Sequence, residues 1–187
     1  MRINRLSIVG FVIVMIGFQS CGQKKQSTPA DSKSDRYNTF QTSEYSIKYP
    51  VTWDFNNSGQ MGMAIQIFSA QTSPADNFRE NVNLIIQDLT GQKVKTLEQF
   101  TQLSESQIKT MMTDGQILSS DKLSRDGQDY QKVISTAVQG QYNLKFEQYY
   151  LIKGHLAYVL TLTCLADKFD EYREVGEKIL DSFTTKK

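Results

Sequence analysis

The sequence predicts an α+β domain built on a largely antiparallel sheet, and three observations carry that prediction. Seven segments show the two-residue alternation or the short apolar runs of strands. Two longer segments, 96–115 and 167–183, place their apolar residues on one helical stripe. Asp126-Gly127 and Lys153-Gly154 join successive strand segments through turns so short that the neighbours must run antiparallel.

In chain order, residues 1–20 read as an address. Arg2 and Arg5 give a basic start, and residues 6–18 carry no charge. As a helix that run would span roughly 20 Å, short of the ~30 Å hydrocarbon core, so it reads as a signal peptide and not as a spanning helix. Phe18-Gln19-Ser20-Cys21-Gly22 resembles a bacterial lipobox. That resemblance implies cleavage after Ser20, with diacylglycerol and an acyl (palmitate-type) chain on Cys21, although Gln19 departs from the small residue usual at its position. A single acyl chain binds membranes marginally, whereas two or three on one residue make the attachment effectively permanent. Gly22 in place of Asp, and Gln23-Lys24-Lys25 in place of an acidic cluster, favour the periplasmic face of the outer membrane.

Residues 21–38, beginning with the lipidated Cys21, form a tether of Gln, Lys, Ser, Asp, Thr and Pro with hardly an apolar side chain. Such a chain cannot build a core and reaches roughly 20–25 Å as a flexible coil. Residues 39–187 then form one domain of ordinary size, able to bury about two-thirds of its extended surface.

Within it, Tyr45, Ile47 and Tyr49 alternate with Ser46 and Lys48 in a strand that stops at Pro50. Residues 63–68 and 81–89 follow as strands, the second with Val82, Leu84 and Ile86 on one face, and 69–76 between them reads as a loop. Thr96-Leu97-Glu98-Gln99 has the form of a capping box. The helix it opens aligns Leu97, Phe100, Leu103, Ile108, Met111 and Met112, with Gly115 suited to the stop. Four strands follow at 117–124, 130–138, 142–152 and 156–165. The third places Tyr142, Leu144, Phe146 and Tyr150 on one face and Asn143, Lys145 and Glu147 on the other. The closing helix puts Phe169, Tyr172, Val175, Ile179 and Phe183 inward.

Tyr45-Ser-Ile-Lys-Tyr-Pro-Val-Thr-Trp53 is similar to the opening Y-x-I-x-Y-P-x-x-W segment of PsbP-like proteins (the PsbP/DcrB type). Asn81-Val-Asn-Leu84 resembles their strand before the first long helix, and Asp181-Ser-Phe183 their closing segment. The order of elements matches over nearly the whole mature domain. The resemblance implies an α/β/α sandwich, a central antiparallel sheet flanked by helices, and members that mostly bind partners and do not catalyse.

Composition narrows the chemistry. Against 20 Asp and Glu stand 21 Lys and Arg, which excludes a strongly basic nucleic-acid binder. Loss of Arg2 and Arg5 would leave a net charge of −1. The single His155 lies at an expected hairpin tip, so any His-dependent triad must use it there. Cys164 continues the alternation of Tyr158, Leu160 and Leu162 and reads as a core residue. Asp167, Asp170 and Glu171 suit the first turn of a helix and lack the D-x-D-x-D-G pattern of a calcium loop. No P-loop, Gly-rich dinucleotide motif or zinc-protease motif occurs, and no cofactor or metal is expected. Trp53 and Tyr149 remain as candidates for a partner surface, Tyr149 because its phase opposes that of Tyr150.

The sequence thus points to a membrane-tethered, non-catalytic binding or accessory domain of an envelope complex with a protein partner. A periplasmic small-ligand or lipid-binding lipoprotein is the alternative, and a hydrolase built on His155 ranks last.

Overall fold

Residues 36–186 are described by the computed structural model of the chain. The signal-peptide and lipobox readings, with Cys21 and most of the tether, fall outside them.

The strands are β1 (Tyr37–Gln41), β2 (Tyr45–Pro50), β3 (Asp54–Asn56), β4 (Ile65–Phe68) and β5 (Asn81–Asp88). After helix α1 (Leu97–Met111) come β6 (Thr113–Arg125), β7 (Gln128–Gln139), β8 (Tyr142–Lys153) and β9 (Leu156–Leu165). Helix α2 (Phe169–Asp181) and the two-residue β10 (Thr184–Thr185) close the chain. Seven strands form one antiparallel sheet in the order β3-β4-β5-β9-β8-β7-β6, and β1-β2-β10 form a second, small sheet. The α+β class and the α/β/α layering are both present.

Side-chain alternation decides what each face of the large sheet meets. On one face Ile65, Ile67, Val82, Leu84, Tyr158, Leu160, Leu162 and Cys164 form a single apolar cluster with Tyr45 and Ile47 of the small sheet and Phe169, Ile179 and Leu180 of α2. On the other, Val133, Tyr150 and Ala157 pack against Phe100 of α1. The two helices therefore lie on opposite faces, α1 across β6, β7 and β8, and α2 across β9, β5 and β2.

Local chemistry explains the boundaries. The Thr96 hydroxyl accepts from the Gln99 amide at 3.2 Å, and the Gln99 side chain accepts in return from the Thr96 amide at 3.3 Å, the expected capping box. Asp126 and Gly127 both adopt positive φ, 51° and 75°, as a two-residue turn matched to strand twist requires. Gly176 faces Leu162 so closely that an added Cβ would lie 2.4 Å from Leu162 Cδ2, which seats α2 directly on β9.

Besides the short strands β3 and β10 and the earlier start of β6, four details depart from the sequence reading. The domain begins two residues before 39, because Tyr37–Gln41 pairs antiparallel with β2 and Phe40 packs on Phe55 at 4.8 Å between ring centroids. α1 ends at Met111, before Gly115, and Met111 is 62% exposed instead of completing the apolar stripe. Gly115 has another job: a Cβ there would stand 2.0 Å from the Ile108 carbonyl oxygen, so only glycine lets β6 leave the last turn of α1. Glu147, expected on a polar outer phase, is completely buried.

Candidate functional site

The aromatic candidates do not form a surface. Trp53 is buried and meets Tyr172 of α2 edge-on at 6.2 Å. Tyr149 is 4% exposed and packs edge-on to Tyr130 at 6.4 Å. Its phase does oppose that of Tyr150, but the α2 layer closes over that side. Burial, and then the Asp181 carboxylate beside it, hold the Tyr149 phenol above its ordinary range. The expected partner surface at Trp53 and Tyr149 is therefore corrected to core. Cys164 is buried as expected, and burial raises its thiol well above its ordinary value. His155 sits exposed at the β8–β9 turn, also as expected.

Charge concentrates where α2 meets β7 and β8. The Lys132 ammonium lies 2.8 Å from one Glu147 oxygen and 2.7 Å from Glu177 of α2. Arg173 of α2 lies 3.1 Å from Glu177 and 3.8 Å from the other Glu147 oxygen. Burial pushes the Glu147 carboxyl above its usual range despite the ammonium beside it. Burial opposes ionisation of Glu177 as well, but Lys132 and Arg173 together hold it below that range. The arrangement clamps α2 to the sheet by ion pairing, although neither buried Glu147 oxygen is in hydrogen-bond geometry with a partner.

Uncommitted chemistry gathers at β6. Among the described residues this strand is the outer edge of the large sheet and pairs only with β7, leaving the backbone groups along its other side without a strand partner. Two irregularities interrupt its register, between Thr113 and Gln116 and between Ile117 and Ser119. The first is a bulge that holds Asp114 at φ 52°, in the left-handed region that few residues besides Gly, Asn and Asp enter. Leu118 and Leu123 are 53% and 36% exposed, with Met111 just before the strand. The basic residues that would guard such an edge are engaged elsewhere, Lys122 with Asp129 at 2.9 Å and Arg125 with Asp181 at 2.6 Å.

Beside the bulge lies an open depression of about 320 Å³. Asp114, Gln116, Thr136 and Asn143 supply its polar lining, and Val138 and Leu144 part of its apolar lining. No hydrogen bond or ion pair joins those four polar side chains to another described residue. Sequence reasoning missed this site. Its one signal was Asp114-Gly115 directly after a helix, a pair that suits left-handed backbone but was absorbed into the helix stop. His155 lies at the other end of β8 from Leu144, about 30 Å away along the strand, so it cannot act on anything held in the depression.

No protein-family model and no curated protein matches the sequence. Solved structures do match the fold. The cyanobacterial PsbP (CyanoP) of Synechocystis sp. PCC 6803 superposes with a TM-score of 0.62 at 14% identity, over 86% of this chain and 98% of that one. LpqN of Mycobacterium tuberculosis, described as involved in cell envelope biogenesis, gives 0.59 at 15% identity over 82% and 87%. The Ran-binding protein Mog1p of Saccharomyces cerevisiae gives 0.53 at 7% identity over 80% and 95%. The domain thus has the Mog1p/PsbP-like fold, and identities this low speak to fold alone.

Proposed function

We propose that this chain is a membrane-tethered, non-catalytic binding domain that serves an envelope complex as an accessory subunit, and that β6 is its contact edge. The observation that carries the reading is the thirteen-residue β6, unpaired along one side and bearing the exposed Leu118 and Leu123. An extended segment of a protein partner can add to such an edge through main-chain hydrogen bonds, with side chains setting specificity. Of the ionisable groups singled out from the sequence, His155 lies at a turn, Cys164 in the core, and Asp170 and Glu171 in the first turn of α2, whereas β6 is a thirteen-residue edge. The lipobox at Cys21 supports attachment to the periplasmic face of the outer membrane. A tether of this length raises the local concentration of the domain near membrane partners, so modest affinity suffices. Mog1p, described as Ran-binding, supports a binding role for the fold, and LpqN, described as involved in cell envelope biogenesis, supports an envelope setting.

The test uses the full-length chain in cells, with a photoreactive amino acid at Leu118 and, as control, at Glu174 on α2. A reproducible adduct with one envelope protein at position 118, absent at 174 and weakened by Leu123→Lys, is the expected result. Equal adducts from both positions, or none from 118, sink the β6 assignment. In parallel, Cys21→Ala should abolish palmitate labelling and release the protein from the membrane fraction; retention of both would overturn the anchor.

A further inference from the structure

We infer that the depression beside the β6 bulge is a binding site for a small amine-bearing polyol of the amino-sugar class. The inference concerns a different surface chemistry from the contact edge and stands or falls separately from it.

The argument begins with register. Gln116 of β6 lies opposite Thr136 of β7, and Thr113 opposite Val138, which itself lies opposite Asn143 of β8. Directly opposed residues point to the same face, so Gln116, Thr136 and Asn143 rise from one side of three adjacent strands. Strands lie about 4.8 Å apart, which spreads these groups over roughly 10 Å, the scale of one sugar ring and its substituents. The bulge between Thr113 and Gln116 inserts Asp114 beside them. Bulges are a standard means of re-aiming a side chain at a site, and this one holds a non-glycine residue in left-handed backbone.

The donor set selects the ligand. Two carboxamides, each with a donor and an acceptor, match adjacent hydroxyls, which also donate and accept. The Thr136 hydroxyl adds a third such partner. Asp114 contributes the one formal charge among the lining residues, and an ammonium is its natural counterpart through a charge-assisted hydrogen bond. Val138, on the same face as Asn143, offers apolar wall to the C–H face of a ring. A volume of about 320 Å³ is at the small end of ligand sites, enough for a monosaccharide. None of the four polar side chains is hydrogen-bonded or ion-paired to another described residue, so a ligand displaces water from them without breaking bonds within the protein.

The experiment titrates the ¹⁵N-labelled full chain in detergent micelles with glucosamine, N-acetylglucosamine and cadaverine, following amide shifts by NMR. Glucosamine should move the amides around 113–116, 136–138 and 143–144 saturably in the millimolar range. N-acetylglucosamine, which keeps the ring but loses the charge, should bind about tenfold more weakly. Cadaverine, which keeps the charge but lacks hydroxyls, should be weaker too. Asp114→Asn keeps a side chain tolerated in left-handed backbone and should remove about tenfold from glucosamine binding, leaving N-acetylglucosamine unaffected. Gln116→Ala, at an exposed position, should weaken both sugars by a few-fold. Shifts located elsewhere, no saturation, equal binding of both sugars, or a tighter cadaverine complex would each overturn the assignment. Loss of the Leu118 adduct would leave it untouched.

Discussion

Replacing Lys132 by Met removes the ammonium from a carboxylate that has no contact with water. Glu147 is 0% exposed and has Lys132 at 2.8 Å; its other basic neighbour, Arg173, stands 3.8 Å away and is nearly half exposed. Breaking a buried pair while leaving one charge behind costs about 3–5 kcal/mol. Arg173 offsets part of this, so about 3 kcal/mol is expected at pH 7. For a domain of this size that is a fall in Tm of about 6–12 °C. Glu147→Gln should behave very differently. It removes the buried charge, keeps the shape, and leaves Lys132 with Glu177 at 2.7 Å, so its cost should stay within about 1 kcal/mol. The sign of the pH dependence follows from linkage. The folded-state pKa of Glu147 is already raised by burial, and loss of Lys132 raises it further. Between the ordinary and the raised value the folded state binds more protons than the unfolded, so stability falls as pH rises through that window. Glu177 has the opposite shift and contributes stability above its ordinary range that is lost on acidification; Lys132→Met shrinks that contribution too. The deficit of Lys132→Met relative to wild type should therefore be larger at pH 8 than at pH 5. Thermal unfolding followed by circular dichroism across that range measures it. Equal losses for Lys132→Met and Glu147→Gln, or a deficit independent of pH, would refute the account.

Three further outcomes follow from contacts already described. Gly176→Ala drives a Cβ to 2.4 Å from Leu162 Cδ2; overpacking should outweigh the gain in helix propensity and cost about 1–2 kcal/mol in urea unfolding, with Leu162→Val restoring part of it. Thr96→Ala deletes the reciprocal cap of α1 and should cost about 1 kcal/mol, read in the same titration, while Thr96→Asn should retain most of the stability. Cys164 is fully buried with its thiol pushed up by that burial, so native protein at pH 8 should resist iodoacetamide and become alkylated only on unfolding. Alkylation of the folded protein at the rate of a free thiol would place Cys164 on the surface and refute that burial.

Much of the fold was legible because its signals are local. The 96–99 capping box, the Asp126-Gly127 turn, the inward residues of α2 and the apolar phase of β5 depend on neighbours a few positions away, and all four stand where the sequence put them. What failed depended on distant chain. Tyr37 and Asn38 read as the end of the tether by composition, and become the start of a strand because β2 supplies its hydrogen bonds. Met111 fits the helical stripe by spacing but lies at the helix end, where it stays 62% exposed.

The β8 segment shows the division between the two kinds of information. By itself the sequence determined that residues 142–152 form a strand with two opposed phases, because alternation along a chain is a property of the backbone repeat. It also determined the class of fold, through the order of such segments and the turns between them. That both phases are core was decided only by the two helices, α1 packing on Tyr150 and α2 folding back to cover Tyr149 and enclose Glu147 with Lys132. Tertiary structure alone also created the β6 bulge, which brings Asp114 beside Gln116, Thr136 and Asn143. Burial and convergence are relations between segments far apart in sequence, and no local period encodes them.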